Sequence, residues 1–124
     1  MTDALNLMVH GDFVAPGVLR VSSQALKYAR DFVESVSAAH GDGYIAVFDW
    51  STKVEYRPDP NAELRTVYDC LGVGANHRSE IPADAVQTVD GLDFAITIPL
   101  KVLQKSEQRL IEVDENALFR LILK

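Results

Sequence analysis

Apolar positions recur at two periods along this chain, and the changes of period mark its elements. Ala25, Leu26, Ala29, Phe32, Val33 and Val36 lie three and four residues apart, which draws one apolar stripe along a helix. Lys27 with Asp31, and Arg30 with Glu34, are opposite charges four apart on the polar face. Ser22 or Ser23 can accept a backbone N–H at the start. His40 stands where the helix dipole favours a cation. Gly41 then accepts the left-handed backbone that often ends a helix. The pattern predicts a helix over about Ser23–Ala39, with Leu26, Ala29, Phe32, Val33 and Val36 buried against a sheet.

Past Gly41 the period becomes two. Tyr44, Ala46, Phe48 and Trp50 alternate with Ile45, Val47 and Asp49, and Val54 and Tyr56 alternate with Lys53, Glu55 and Arg57. These runs suggest two strands of a hairpin turning at Ser51-Thr52, although Ser-Thr is not a preferred turn pair. Pro58–Asn61 reads as a loop, Leu64–Cys70 as a further strand, and Gly72-Val73-Gly74-Ala75-Asn76 as a loop or bulge. Val86–Val89 leads into Asp90-Gly91, a strong hairpin signal, and Leu92, Phe94, Ile96 and Ile98 alternate after it. Pro99 suits the opening of a short helix, Leu100–Glu107. Leu110–Val113 and Ala117–Leu123 close the chain as strands around Asp114-Glu115-Asn116. Near the start, Leu5, Leu7 and Val9 alternate as an edge strand, Pro16-Gly17 turns, and Val18–Val21 is a short strand. The order is β-α-β-β-β-β-β-α-β-β. It predicts one α+β domain, 1–124: a mainly antiparallel sheet with one long N-terminal helix and one short helix.

Composition narrows the function classes. The 124 residues are 48 % hydrophobic and 24 % charged, ordinary for a globular domain that buries its own core. The net charge of −6 and the absence of a basic run disfavour nucleic acid and an anionic membrane surface. They leave a protein partner, a basic one included, and a homo-oligomer is allowed. The single cysteine, Cys70, forbids an intrachain disulfide. Met1–Asp12 lacks a secretory pattern and no apolar run reaches membrane length, so the expected compartment is the cytoplasm.

Candidate chemistry is sparse. Cys70 and His77, with Asp69 and Glu80 nearby, contain thiolate, imidazole and carboxylate that zinc or iron accepts. Their spacing matches no standard finger, and a core or half-buried cysteine that packs as a small hydrophobe is the preferred reading. Gly72-x-Gly74 lacks the remaining residues of a phosphate loop. Trp50, the only tryptophan, would be a binding anchor at a hairpin tip, whereas its alternation with Tyr44, Ala46 and Phe48 puts it on the core face. The candidate binding residues are Asp49, Trp50, His77 and Arg78. No catalytic residue and no cofactor is assigned, and metal enters only if Cys70 and His77 serve a site bridging two subunits.

One resemblance spans most of the chain, from Val18 to Lys124. Val18-Leu19-Arg20-Val21-Ser22-Ser23-Gln24-Ala25-Leu26 resembles the short strand and S-x-x-A-L helix start of the A-type iron–sulfur carrier family (HesB-like). Val89-Asp90-Gly91-Leu92-Asp93-Phe94-Ala95-Ile96-Thr97-Ile98-Pro99 resembles its acidic–Gly hairpin. Val102–Ser106, Ile111–Val113 and Leu118-Phe119 follow its closing order of short helix, strand and Phe-containing strand. The resemblance implies a HesB-like fold and a link to iron–sulfur cluster assembly. It does not imply the carrier's chemistry. The family's first ligand turn falls near Asp49-Trp50-Ser51-Thr52, where there is no cysteine, and no C-x-C accompanies Leu121-Ile122-Leu123-Lys124. A chain with Cys70 alone is expected to hold no stable cluster. The reading is therefore a non-enzymatic binding or accessory protein. The alternative is an acidic antidote or immunity-type protein that binds a basic partner.

Overall fold

In the computed structural model, residues 7–57, 59–114 and 120–124 are described. The Ser22 side chain accepts the Ala25 N–H at 3.1 Å, and this cap starts helix α1, Ser23–His40. Gly41, at φ 94°, ends it by donating its N–H to the Ser37 carbonyl. The buried residues of α1 are Ala25, Leu26 and Ala29, all in its first two turns. After Ala29 none is fully buried, and Phe32 is 38 % exposed. The expected burial of Phe32 is thus corrected, as is that of Val33 and Val36, which are only half-buried. The small side chains of Ala25 and Ala29 seat the N-terminal half of α1 on the core, and its later turns bury less.

Strands β1 (Arg20–Val21), β2 (Tyr44–Tyr56), β3 (Arg65–His77), β4 (Gln87–Val89), β5 (Leu92–Thr97), β6 (Leu110–Asp114) and β7 (Arg120–Leu123) form one curled sheet in the order β1-β6-β7-β3-β2-β5-β4. With α1 and the short helix α2, Leu100–Lys105, the fold is α+β. The sheet is mixed: β1–β6 and β2–β5 run parallel, and the other pairs run antiparallel.

Two sequence expectations fail in the same hairpin. Ser51-Thr52 is no turn, because β2 runs unbroken through it from Tyr44 to Tyr56. Gly72–Asn76 is no loop, because each of its residues pairs with one between Ile45 and Asp49. A single strand replaces the two expected before the 57–64 connection, so four strands rather than five separate the helices. The other hairpin stands as read. Asp90 and Gly91, at φ 51° and 80°, give the two left-handed residues that a tight turn between β4 and β5 needs. The edge strand expected from Leu5 lies partly outside the described residues. What is described there is a tight loop in which Met8 pairs with Val14 and Phe13 with Thr97. The turn expected at Asp114-Glu115-Asn116 also lies largely outside them.

Alternation along the strands divides the core between the two faces of the sheet. Ala46, Phe48, Phe94, Ile96 and Leu71 meet Ala25, Leu26 and Ala29 of α1 on one face. Phe48 and Phe94 are fully buried and pack edge to face at 5.5 Å. Ile45, Val47 and Ala95 pack with Ile81 and Ala85 on the other. Among the described residues, both faces are covered around the stretch of β2 that β5 flanks.

Candidate functional site

Trp50 is where β2 leaves the core. Its ring is half-buried and packs against the α1-side cluster. One residue earlier, at Asp49, pairing with β5 ends. The Asp49 carboxylate accepts the Thr97 hydroxyl at 2.9 Å and so fastens the end of β5 to β2. That bond gives Asp49 a structural task.

Opposite Trp50, β3 pairs with β7 among the described residues at Leu71 and Leu121. Two residues before Leu71, Asp69 sits at φ 50°, a region that aspartate enters more readily than most side chains. A cleft of about 370 Å³ opens here toward α2, lined by Trp50, Asp69, Val102, Lys105, Ser106 and Leu123. A second, of about 230 Å³, opens at the β3–β7 seam, and Cys70, Asp114 and Ile122 join Trp50 and Asp69 there. The larger cleft combines an aromatic ring with an acid and an ammonium, so it can take an apolar group together with a charged one.

Past Trp50 and Leu71 the described sheet narrows to two strands. Val54 faces Val67, Lys53 faces Tyr68, and Tyr56 faces Arg65. This arm, Ser51–Tyr56 with Arg65–Cys70 and the connection between them, carries large exposed apolar side chains. Tyr68 is 65 % exposed, Leu64 52 % and Tyr56 42 %. None of the three stood out in the sequence as a binding residue, because each fits strand alternation as well as a core residue does.

The other two candidate residues lie at the far end of the hairpin. His77 pairs with Tyr44, six strand positions from Trp50, or roughly 20 Å at strand spacing. The four candidates therefore form two places and not one site. Tyr44 packs edge-on to the His77 ring at 5.6 Å. His77 Nδ1 hydrogen-bonds the Ser79 hydroxyl at 2.8 Å, and a Cβ on Gly43 would lie 2.6 Å from its Nε2. Arg78 donates its backbone N–H to Gly43 and its guanidinium to Asp93, which also accepts the Thr88 hydroxyl at 2.5 Å. The Thr88 hydrogen bond, followed by that of Arg78, holds the Asp93 carboxyl below its ordinary value. These contacts tie β3, the following turn and the β4–β5 hairpin together.

Within one chain Cys70 and His77 do not come together. Both lie on β3, seven residues and so roughly 23 Å apart, on opposite faces. Cys70 is half-buried, within the core or half-buried placement expected of it, on the face that carries the exposed Tyr68. Among the described residues, no group of three His, Cys, Asp or Glu side chains is placed to hold a metal ion. Nor is any described helix long and apolar enough to cross a membrane. Comparison of this chain with family models, with curated proteins and with solved structures found no match.

Proposed function

We propose that this chain is a non-catalytic protein-binding domain of HesB-like lineage, and that the arm at the end of the β2–β3 hairpin is its contact surface. The observation that carries the reading is the exposure of Tyr68, Leu64 and Tyr56 together on one projecting ribbon. Tyrosine is among the side chains that most often anchor protein interfaces. The Trp50 cleft at the root of the arm adds a mainly apolar recess that also carries Asp69 and Lys105. The element order of short strand, capped helix, hairpin, short helix and two closing strands supports the HesB-like part of the proposal. The role we assign is accessory work in iron–sulfur cluster assembly in the cytoplasm, carried out through protein contacts.

The net charge of −6 favours a second reading, an acidic protein that caps a basic partner. On the arm itself Lys53, Arg57 and Arg65 stand among Glu55, Asp59, Glu63 and Asp69, a net charge of −1 with both signs interspersed, and the aromatic and aliphatic anchors Tyr68 and Leu64 are what favour the first reading.

A photo-crosslinking residue placed at Tyr68 in the full chain, in its own cells, tests the proposal. The expected result is a defined adduct from position 68 and none from Glu34, an exposed position on α1. An adduct with a cluster-assembly factor supports the accessory role, and one with a strongly basic protein supports the second reading. Equal yields from both positions, or none from position 68, would remove the arm as the contact surface.

A further inference from the structure

The arm has an open edge with a definite length. On its β5 side, β2 is paired from Ala46 to Asp49, and no described strand continues beside Ser51–Tyr56. That is six residues of extended backbone, about 20 Å, whose outward N–H and C=O groups form a template for another strand. The competing edges are poorer. β1 offers two residues and β4 three. The β3 side of the arm is interrupted by the left-handed Asp69 and adjoins β7 at Leu71.

We propose that a second copy of this chain fills this slot, its own Ser51–Tyr56 running antiparallel about a two-fold axis through Val54. The inference rests on the reading of the arm as the contact surface and names its partner. Charge selects the occupant and the register. In an antiparallel pair centred on Val54, each residue faces the one whose number completes the sum of 108. Lys53 then faces Glu55 of the second copy, and Glu55 faces the second copy's Lys53, which makes two opposite-charge pairs directly across the new ladder. Val54 faces itself, and Thr52 faces Tyr56. Because the two-fold is perpendicular to the sheet, like faces stay together. Val54 and Tyr56 join their counterparts on one face, while Lys53, Glu55 and the exposed Tyr68 line up on the other. Within one molecule Lys53 and Glu55 already lie on the same face, 2.9 Å apart. Dimerisation lets this alternating pair be met by its inverse. Centring the axis one residue away, on Lys53 or on Glu55, would instead put like charges face to face, which is unfavourable.

The test is sedimentation equilibrium of the full chain, with paired charge variants and a cysteine probe. The parent should be a reversible dimer at micromolar to high-micromolar concentration. Lys53→Glu places glutamates opposite each other twice and should weaken the dimer about tenfold. Glu55→Lys should do the same, and the double exchange K53E/E55K should restore it to within about threefold of the parent. The exchange also restores the pair within one molecule, so a second probe reads geometry alone. Val54→Cys in a Cys70→Ser background should give a disulfide-linked dimer on mild oxidation with diamide, because residues facing across an antiparallel pair lie within disulfide reach. The same cysteine at Glu34 should not. A chain that stays monomeric, an exchange that fails to restore association, or a Val54→Cys variant that does not cross-link would overturn the two-fold at Val54. None of these would touch a crosslink from Tyr68 to a different protein, so failure of this inference and failure of the contact-surface reading are separable.

Discussion

The two halves of the β2–β3 hairpin share one register and one ladder of backbone hydrogen bonds, yet they live in different surroundings. In the half from Tyr44 to Trp50, β5 lies alongside β2, and side chains from α1 and from Ile81 and Ala85 cover the faces. In the half from Ser51 to Tyr56, Val54 still faces Val67 on β3, but no described strand continues on the other side of β2, and Tyr56 and Tyr68 are exposed. Pairing alone contributes little, since a backbone hydrogen bond nets only about 1 kcal/mol and an isolated two-stranded hairpin is marginal in water. The inner half is stable because apolar side chains leave water on both faces. The outer half borrows its order from the inner one. Such an element can be offered to a partner without loosening the core.

Substitutions can break this contrast, and the largest effect should come from the inner half. Phe48 is fully buried, and Phe48→Ala should cost roughly 3–5 kcal/mol in urea unfolding. Gly91→Val forces a β-branched residue to φ 80° and should cost about 1–3 kcal/mol; a melt identical to the parent would mean that the β4–β5 turn is wrong. Ser22→Ala removes the α1 cap and should cost about 1 kcal/mol. Asp93→Asn should act mainly through pH. The folded-state carboxyl sits below its ordinary 3.8, so its contribution is present above that value and is lost as pH falls through the lower folded value. The gap in Tm between parent and Asp93→Asn should therefore shrink below pH 3.8, and a constant gap would mean that the ion pair with Arg78 and the Thr88 bond carry no stability. Tyr68→Ala should be the mildest, within about 0.5 kcal/mol. A cost near that of Phe48→Ala would make the arm part of the core and end the comparison.

The sequence was legible where a local rule and the tertiary structure agree. Ser22 and Gly41 bound α1, and Asp90-Gly91 makes its turn, because caps and tight turns are set by a few neighbouring residues. It misled where a strand changes surroundings without ending. Ser51-Thr52 resembles a turn because alternation loses its apolar members as β2 leaves the core, and Gly72–Asn76 resembles a loop although β2 holds it in the sheet. Phe32 fits the apolar period of α1, yet depth of burial depends on what lies beneath each turn, which periodicity does not encode. The candidate binding residues fared likewise. Trp50 was visible as a singular aromatic, whereas Tyr56, Leu64 and Tyr68 became distinctive only once the sheet was seen to stop beside them.

Amide hydrogen exchange along β2, followed as protein concentration is raised, tests most directly that the arm is an element apart from the core and built for contact. In dilute solution the account predicts that amides at Ala46–Phe48 exchange only through global unfolding. Those at Val54–Tyr56 should exchange faster through local opening, and should slow as concentration rises while the inner ones stay unchanged. Equal protection along the whole of β2, at every concentration, would contradict it.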